Sequence, residues 1–588
     1  MQLPYGIFDF GSIRQDGYFY QDRTGLIPQL EATGKQLLFL RPRRFGKSLL
    51  VSMLEHYYDM KREDAFATLF GDLAIGQNPT PLHNHYFILH WDFSLVNAQG
   101  EVKDIEAALH HCLVASIHRC AMYYGLTIEI NPDDSLYSFS NLLTAIQSTG
   151  HKLYLFIDEY DNFANEILMA KKEHYEKLLY GEGLFKTVFK AVKAAAGQGL
   201  DRVFITGVSP VAMADLTSGY NVAKNIYLHP EFNELCGFTE TEITAILQSI
   251  KCEADTYTWS LEAALAMMRT FYNGYRFSYE ADHGVYNPTL SLYFLEELHK
   301  RGQYPRNMLD DNLAMDRSKL TYIAELLQDE QVLLEALDTD AGVLIPRLAT
   351  RFGVTDLFRG LEGHSVMASL LYYFGILTLD GETGFGETRL KIPNLVSRSL
   401  YIERIQDWLS LPARDRETAL AVARSLCQHG DMLPVCEFIE TRLFPVLSTR
   451  DYRWSNELAV KIMFMTVLFN DHIYMMISET EVNHGYIDLS LIVRPDMRRF
   501  QAMDLVLEFK YVGLKEVGLT GIEVKAKSRE ELLALSPVSI KMDEAKVQAK
   551  RYGDTLKTRY QLNTISCFAV VAVGLERIVF ERLAEAGD

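Results

Sequence analysis

Two places in this 588-residue chain gather side chains suited to chemistry on phosphates. The first is Gly46-Lys47-Ser48, closing the segment RPRRFGKS (Arg41–Ser48) between the apolar run Gln36–Leu40 and the helically spaced LLVSMLEHYYDM. In a glycine-rich phosphate loop, backbone N–H groups wrap phosphate oxygens, a lysine neutralises their charge and a Ser hydroxyl reaches Mg²⁺. Arg41 stands where the usual spacing has its first glycine, so a basic turn capped by a serine is the plain alternative. Leu153–Glu159 (LYLFIDE) favours the phosphate reading. An apolar strand delivering Asp158 and Glu159 at its carboxyl end suits ATP hydrolysis, with Asp158 on Mg²⁺ and Glu159 polarising the attacking water. In an open α/β sheet, ligands sit at that end of the strands. Asp161 reads as a turn residue, with a further site carboxylate as the alternative. Thr206 and Ser209, in RVFITGVSP (Arg202–Pro210), read either as contacts to the γ-phosphate or water, or as strand-end caps.

The second place is C-terminal. Asp488 interrupts the largely apolar YIDLSLIV (Tyr486–Val493), and LVLEFKY (Leu505–Tyr511) carries Glu508 and Lys510. Their i, i+2 spacing puts Glu508 and Lys510 on one face of a strand. Carboxylates on neighbouring strands can hold Mg²⁺, with Mn²⁺ as a substitute, for phosphodiester hydrolysis, while a lysine positions water or stabilises the transition state. Glu457, in the upstream helical stretch SNELAVKIMF, can touch a metal-bound water. Gln548 lies in AKVQAKRYGD, whose Lys546, Lys550 and Arg551 can meet backbone phosphates. An Asp…Glu-x-Lys pattern also arises by chance, and Glu508 with Lys510 can be no more than an exposed ion pair.

The elements that must hold these residues are legible in outline. Short apolar runs at 36–40, 86–90, 153–157 and 203–206 alternate with helical stretches such as Asp104–Tyr124 and Tyr175–Ala196, which predicts a parallel sheet covered on both faces. Residues ~240–440 read as mostly helical: TETEITAILQSI, SLEAALAMMRTFY, LTYIAELLQ, SVMASLLYYFGIL and RETALAVARSLCQ. Beyond ~450 come a helix (Ser455–Phe469), strands at Tyr486–Val493 and Asp504–Tyr511, a long helix (Asp543–Lys557) and a strand (Ser566–Ala572). The fold class expected is α/β.

Composition sets the wider bounds. With 48% hydrophobic and 23% charged residues the chain is globular, not disordered. No apolar run approaches the ~18–20 residues of a membrane span, and Met1–Phe10 lacks the features of a secretory signal. Seven cysteines without a C-x-x-C pair suggest neither a disulfide scaffold nor zinc, so a reducing cytoplasm is the expected location. The net charge of −19 argues against a nucleic-acid coat protein. Residues 441–588 carry 20 basic and 20 acidic side chains, so the whole excess lies before 441, and the C-terminal part is better able to approach a polyanion.

Several segments, in order, carry a family resemblance: LPYGIFDF, YFYQDRTGLIPQL, RPRRFGKSLL, FIDEYD, FITGVSPV, GFTETEI, YNGYRF with VYNP, LLYYFGILTL and KIPN. Over nearly its whole length the chain resembles AAA-ATPase-like proteins with a C-terminal PD-(D/E)XK nuclease domain. That family is similar in having RP-x-RFGKS, so Arg41 is a family feature. The resemblance implies an N-terminal P-loop (ASCE/AAA-like) ATPase with a parallel sheet (roughly 1–235), a helical lid or linker (236–440) and a C-terminal α/β PD-(D/E)XK nuclease-like domain (441–588). Nucleotide would lie on Arg44, Phe45, Gly46, Lys47, Ser48, Leu49 and Asp158, with Ser48 and Asp158 on Mg²⁺ and Glu159 as hydrolytic base. Asp488 and Glu508 would hold the nuclease metal, Lys510 would assist, and Glu457 and Gln548 would support. Arg276 is a candidate second sensor or a helix-ending turn; Asp22 and Arg23 line the nucleotide pocket or form a salt-bridged cap. Implied partners are ATP, Mg²⁺, DNA or RNA, and further copies of the chain, with no membrane; the implied setting is mobile-element control or phage defence. The rival is a nucleotide-dependent switch that binds nucleic acid or a partner without cutting. Residues 511–542 depart from the expected spacing and read as an added hairpin or lid, an oligomer contact or a neutral insertion.

Overall fold

Strands apolar at nearly every position need cover on both faces, and the N-terminal half is built accordingly. In the computed structural model of the chain, all residues are described except 98–99, 163–182, 211–219, 254–256, 310–331, 333–334, 338–341, 351, 353–362, 409–411, 449–455, 478–480, 483–484 and 584–588. Strands β1 (Gln36–Leu40), β2 (Tyr86–Asp92), β3 (Lys152–Asp158), β4 (Leu200–Gly207) and β5 (Lys224–Asn225) form a parallel sheet in the order β2-β3-β4-β1-β5. Every residue of β3 after Lys152 is buried. Helices Lys47–Tyr58, Val102–Tyr124 and Ser135–Ser148 pack on this sheet. The expected helix Tyr175–Ala196 is described only as Leu184–Ala195, its first part lying outside the described residues. Because β4 is inserted between β1 and β3, the carboxyl ends of all three converge on one edge: Leu40 registers with Gly207 and Ile157 with Ile205.

The middle region contains helices Glu240–Glu253, Leu261–Tyr272, Pro288–Arg301, Gly363–Tyr373, Leu395–Trp408 and Ala413–His429. The stretch LTYIAELLQ lies outside the described residues. This region is not purely helical. An antiparallel sheet of β6 (Val343–Ile345), β7 (Thr378–Glu382) and β8 (Thr388–Lys391), ordered β6-β8-β7, interrupts it. The helical pattern in SVMASLLYYFGIL stops at Tyr373, Gly375 takes φ +76°, and the chain turns into β7.

The C-terminal sheet is mixed, in the order β15-β14-β13-β12-β9. It comprises β9 (Tyr474–Ile477), β12 (Leu489–Val493), β13 (Leu505–Val512), β14 (Ser566–Val573) and β15 (Arg577–Arg582), while β10 (Glu481–Val482) and β11 (Gly485–Tyr486) pair only with each other. β13 and β14 run parallel; the other pairs are antiparallel. Helix Glu457–Leu468 packs on β13 through Phe464 against Phe509, and the long helix spans Ser536–Arg559. Two expectations are corrected here. The strand expected over Tyr486–Val493 begins at Leu489, because the Asp488 carboxylate takes the Phe509 N–H and ends the ladder. Residues 511–542 form no hairpin. They make helices Leu514–Val517, Gly521–Ala526 and Arg529–Leu533 plus the start of the long helix, and share a small core of Val524, Leu532 and Val538 with Val571 and Val579. Buried Glu440 of the middle region anchors them by accepting from Arg529, Arg577 and the Ile578 N–H.

Candidate functional site

The phosphate loop leaves β1 at Leu40 and enters helix Lys47–Tyr58. Its path needs left-handed backbone at Arg44 (φ +63°) and Gly46 (φ +84°). Nothing lies within 4 Å of where a Gly46 side chain would start, so the dihedral angle alone demands glycine there. Arg41 does not face the cleft. It is 1% exposed, donates to the carbonyls of Leu40, Tyr227 and Phe232 at 2.6–2.9 Å, and lies over the rings of Phe39 and Phe277. Burial lowers its pKa to about 10. Phe45 is buried edge-on against Tyr275 and Phe277, so the YNGYRF segment supports the loop from behind.

Lys47 is buried; its ammonium donates to the Pro42 carbonyl at 3.3 Å and lies 3.3 Å from Glu159 Oε1. The Ser48 hydroxyl donates to Asp158 Oδ2 at 2.7 Å, and the Thr206 hydroxyl donates to Asp158 Oδ1. Ser48, on the helix after the phosphate loop, and Thr206, on β4, thus hold the two oxygens of the Asp158 carboxylate. Glu159 adopts φ +53°, a conformation unusual for a residue with a side chain. Asp161 is not an exposed turn residue. It is fully buried and accepts from the Val208 N–H, the Ser209 N–H and the Ser209 hydroxyl at 2.8–3.0 Å, and burial pushes its carboxyl up. These residues border a cleft of about 710 Å³ lined by Arg43, Arg44, Ser48, His90, Asp158 and Glu159. Burial works against a charged His90, but its 2.6 Å contact with Glu55, with Asp158 and Asp92 nearby, raises its pKa overall. On the other side of the loop an apolar pocket of about 90 Å³ is lined by Phe19, Tyr20, Phe45, Gly46, Leu49 and Phe238. Phe19, Tyr20 and Phe238 were not legible as site residues, being ordinary aromatics far apart in sequence.

Asp22 accepts from Thr24 and from the Ala74 N–H, while Arg23 forms a two-pronged bond to Glu242 and donates to the Gly237 carbonyl. Both are structural ties outside the polar cleft, although Arg23 borders the apolar pocket. Arg276 lies 4.0 Å from Asp380, and its N–H donates to Thr378.

In the C-terminal sheet, the register Leu489↔Leu507 places Asp488 across from Glu508. Lys510 Nζ lies 3.1 Å from Glu508 Oε1, 3.4 Å from Glu457 Oε1 and 4.0 Å from Asp488 Oδ2, and donates to the Phe509 carbonyl at 2.7 Å. Two buried acceptors, Glu508 Oε2 and Gln548 Oε1, have no hydrogen-bond partner among the described residues. Burial, helped by Asp488, pushes the Glu508 carboxyl up to about 8 despite Lys510. Burial also raises Glu457. Burial opposes the Lys510 charge, but Glu508, Asp488 and Glu457 outweigh it and raise its pKa. Lys546 is turned to Glu581 and Asp543, while Lys550 and Arg551 are exposed on the same helix.

Three carboxylates around one lysine, with a buried oxygen left unpaired, fit a divalent cation. Among the described residues no three His, Cys, Asp or Glu side chains stand as a ready-made cage. Asp488 and Glu508 are the two side chains placed so that they could hold such an ion, a partial set of the kind Mg²⁺ takes. The Ser48–Asp158 pair offers the same partial set beside the phosphate loop.

The chain is similar to several known proteins. A curated protein of Azotobacter chroococcum mcd 1, "Uncharacterized protein in vnfD 5'region", is 24% identical over 554 residues, covering 90% of this chain and 92% of that protein. The Aeropyrum pernix ORC1 protein, solved in complex with DNA, is 12% identical with a TM-score of 0.25, covering 69% of this chain and 96% of that one. Cdc6p from Pyrobaculum aerophilum is 11% identical with a TM-score of 0.27, covering 67% and 98%. Residues 4–217 match the AAA-ATPase-like family, described as predicted AAA-ATPase, and residues 455–582 match the PD-(D/E)XK nuclease superfamily. The chain thus joins an AAA-ATPase-like domain at its N-terminus to a domain of the PD-(D/E)XK nuclease superfamily at its C-terminus.

Proposed function

We propose that the chain is an ATP-hydrolysing, Mg²⁺-dependent nuclease in which residues 1–235 handle nucleotide, 236–440 connect, and 441–588 cut nucleic acid. The observation that carries the reading is the buried Glu508 carboxylate, one oxygen unpaired and the other 3.1 Å from Lys510, across the sheet from Asp488. Such a group is costly to keep unless a cation and a substrate use it.

In the nucleotide cleft, the N–H groups of Arg44 to Leu49 face phosphate oxygens, Lys47 neutralises the β- and γ-phosphates, and the apolar pocket beside Phe45 and Leu49 takes the base. Ser48 and Asp158 orient Mg²⁺, and Glu159 accepts a proton from the attacking water once released from Lys47. At the C-terminal site, Asp488 and Glu508 hold the metal. Lys510 places its ammonium beside the scissile phosphate, Glu457 orients water, and Gln548 offers its free carbonyl oxygen to that water. Bound Mg²⁺ supplies Lewis-acid stabilisation of charge developing on the phosphate; Mn²⁺ can replace it at this site. A cytoplasmic setting and a part in mobile-element control or phage defence rest on the family resemblance alone.

The test is cleavage of mixed DNA and RNA substrates by the purified chain in Mg²⁺ or Mn²⁺, with and without ATP, beside Lys510→Ala. Loss of cleavage in the variant supports the nuclease; unchanged cleavage overturns it. A second reading, a nucleotide-driven switch that grips without cutting, is favoured by the Lys47–Glu159 contact, which nucleotide must break to bind. No cleavage by the parent chain under any condition, with an ATP-dependent change in assembly, would support that reading instead.

A further inference from the structure

Of the segments that carried the family resemblance, KIPN takes no part in either site, while GFTETEI, YNGYRF and VYNP, which also back the phosphate loop and its apolar pocket, pack beside it. They meet around a third cleft. Pro393 packs so closely on Gly274 that a side chain there would stand 2.2 Å from the Pro393 carbonyl oxygen, and Asn394 donates to the Asn273 carbonyl. Glu240 of GFTETEI accepts from Tyr286 of VYNP and binds Arg269 through two nitrogens.

The cleft has a volume of about 650 Å³ and opens where helices Leu261–Tyr272 and Leu395–Trp408 pack against β9 and the end of β12. Arg269, Arg398, Arg498 and Arg559 line it, against the single carboxylate Glu262 among its lining residues. Arg398 is 8% exposed, and burial lowers its pKa to about 10. Arg269, Arg498 and Arg559 are exposed. Asp504 holds Arg498 from behind through two nitrogens, at 3.0 and 3.3 Å. Tyr560, flanked by Arg559, and the apolar Pro393 and Met475 give the walls flat and non-polar surface.

Glu240 and Asp504 occupy two nitrogens each of Arg269 and Arg498 and fix their positions, so the donors the cleft can offer phosphate oxygens are their remaining N–H groups and the guanidinium of Arg559. The volume falls in the ~300–1,000 Å³ range of small-ligand pockets. The cleft is remote from the carboxylate–lysine cluster: Asp488 just precedes β12 and Val493 ends it, and Arg559 closes the helix whose middle carries Gln548, each separation being ~16 Å.

We propose that this cleft binds a phosphate-bearing ligand of nucleotide or short-oligonucleotide size, at a site distinct from both the ATP cleft and the metal site. Because its walls come from the middle region and from the nuclease-like sheet, an occupant bridges the two. The proposal does not rest on either catalytic assignment.

The test uses the full chain carrying Lys47→Ala, in EDTA, so that neither the phosphate loop nor metal-dependent cleavage contributes. Fluorescence anisotropy follows a fluorescein-labelled thymidine trinucleotide. Arg559→Glu should weaken binding about ten-fold or more, the loss of one charge-assisted phosphate contact plus the new repulsion. Lys515→Glu, an exposed charge on helix Leu514–Val517 away from the cleft lining, should leave it within about two-fold. Displacement by thymidine monophosphate identifies a free nucleotide as sufficient; displacement only by a longer strand identifies a phosphodiester chain. No binding, binding indifferent to Arg559→Glu, or equal loss with Lys515→Glu overturns the proposal. Near-ultraviolet circular dichroism unchanged in Arg559→Glu confirms that folding is not the cause of its loss.

Discussion

The ammonium of Lys47 and the carboxylate of Glu159 stand 3.3 Å apart, joining the phosphate loop to the strand that carries Asp158. The residue proposed to bind phosphate and the residue proposed to activate water therefore neutralise one another until nucleotide intervenes. Lys47→Ala should abolish the rise in melting temperature that ATP produces. Glu159→Gln should keep that rise while lowering hydrolysis by about 10²–10⁴-fold, the usual span for a general base. Thermal shift and phosphate release, measured on both variants, check the pair.

Glu508 makes a pH prediction with a definite sign. Its carboxyl in the folded chain is raised to about 8, above the value of about 4.3 for an unfolded chain. Between those values the folded state binds more protons, so stability falls as pH rises and levels off above about 8. The melting temperature of the metal-free chain should decline from about pH 5 to pH 8, Glu508→Gln should flatten the decline, and Mg²⁺ affinity should rise with pH over the same window. A series of melts in EDTA and in Mg²⁺ measures all three.

Arg41 should matter to ATP without touching it. Arg41→Ala removes one donor from each of the carbonyls of Leu40, Tyr227 and Phe232 and opens a hole between Phe39 and Phe277, for a cost of about 2–5 kcal/mol. Urea unfolding should show the loss, and ATP affinity should fall with it. Arg41→Lys should restore only part, since one ammonium cannot reproduce the fork.

Asp161→Ala removes the acceptor for two buried N–H groups and the Ser209 hydroxyl. The expected loss is about 2–4 kcal/mol, read as a lower urea midpoint. ATP hydrolysis should suffer less than in Glu159→Gln, because Asp161 braces the end of β4 and does not face the cleft.

What could be read from the residues was set by locality. Gly46-Lys47-Ser48, Asp158-Glu159 and Glu508-x-Lys510 lie within a few positions on single elements, and strand or helix periodicity orients each group. Asp161 misled because its spacing after an apolar strand suits a turn, whereas the partners that bury it come from residues 208–209. β7 and β8 were missed because they are short and their hairpin, GETGFGE, is rich in glycine and charge. The arginine cleft draws its four guanidinium groups from positions 269, 398, 498 and 559, and no local pattern joins them. The helices of 514–533 escaped because the signals for them are capping boxes at Thr520 and Ser528, not long amphipathic runs.

The parallel pairing of β13 with β14 bears on how the protein is made. The strand carrying Glu508 and Lys510 is central, and its neighbour on one side, Ser566–Val573, follows only after the whole of the long helix. On a translating ribosome the nucleotide-handling sheet, complete by Asn225, can close and bind its ligand long before the carboxylate–lysine cluster gains its second flanking strand. Birth order alone thus puts the sheet proposed to take nucleotide ahead of the sheet proposed to cut, and a nascent chain stalled before β14 lacks the strand that flanks Glu508 and Lys510.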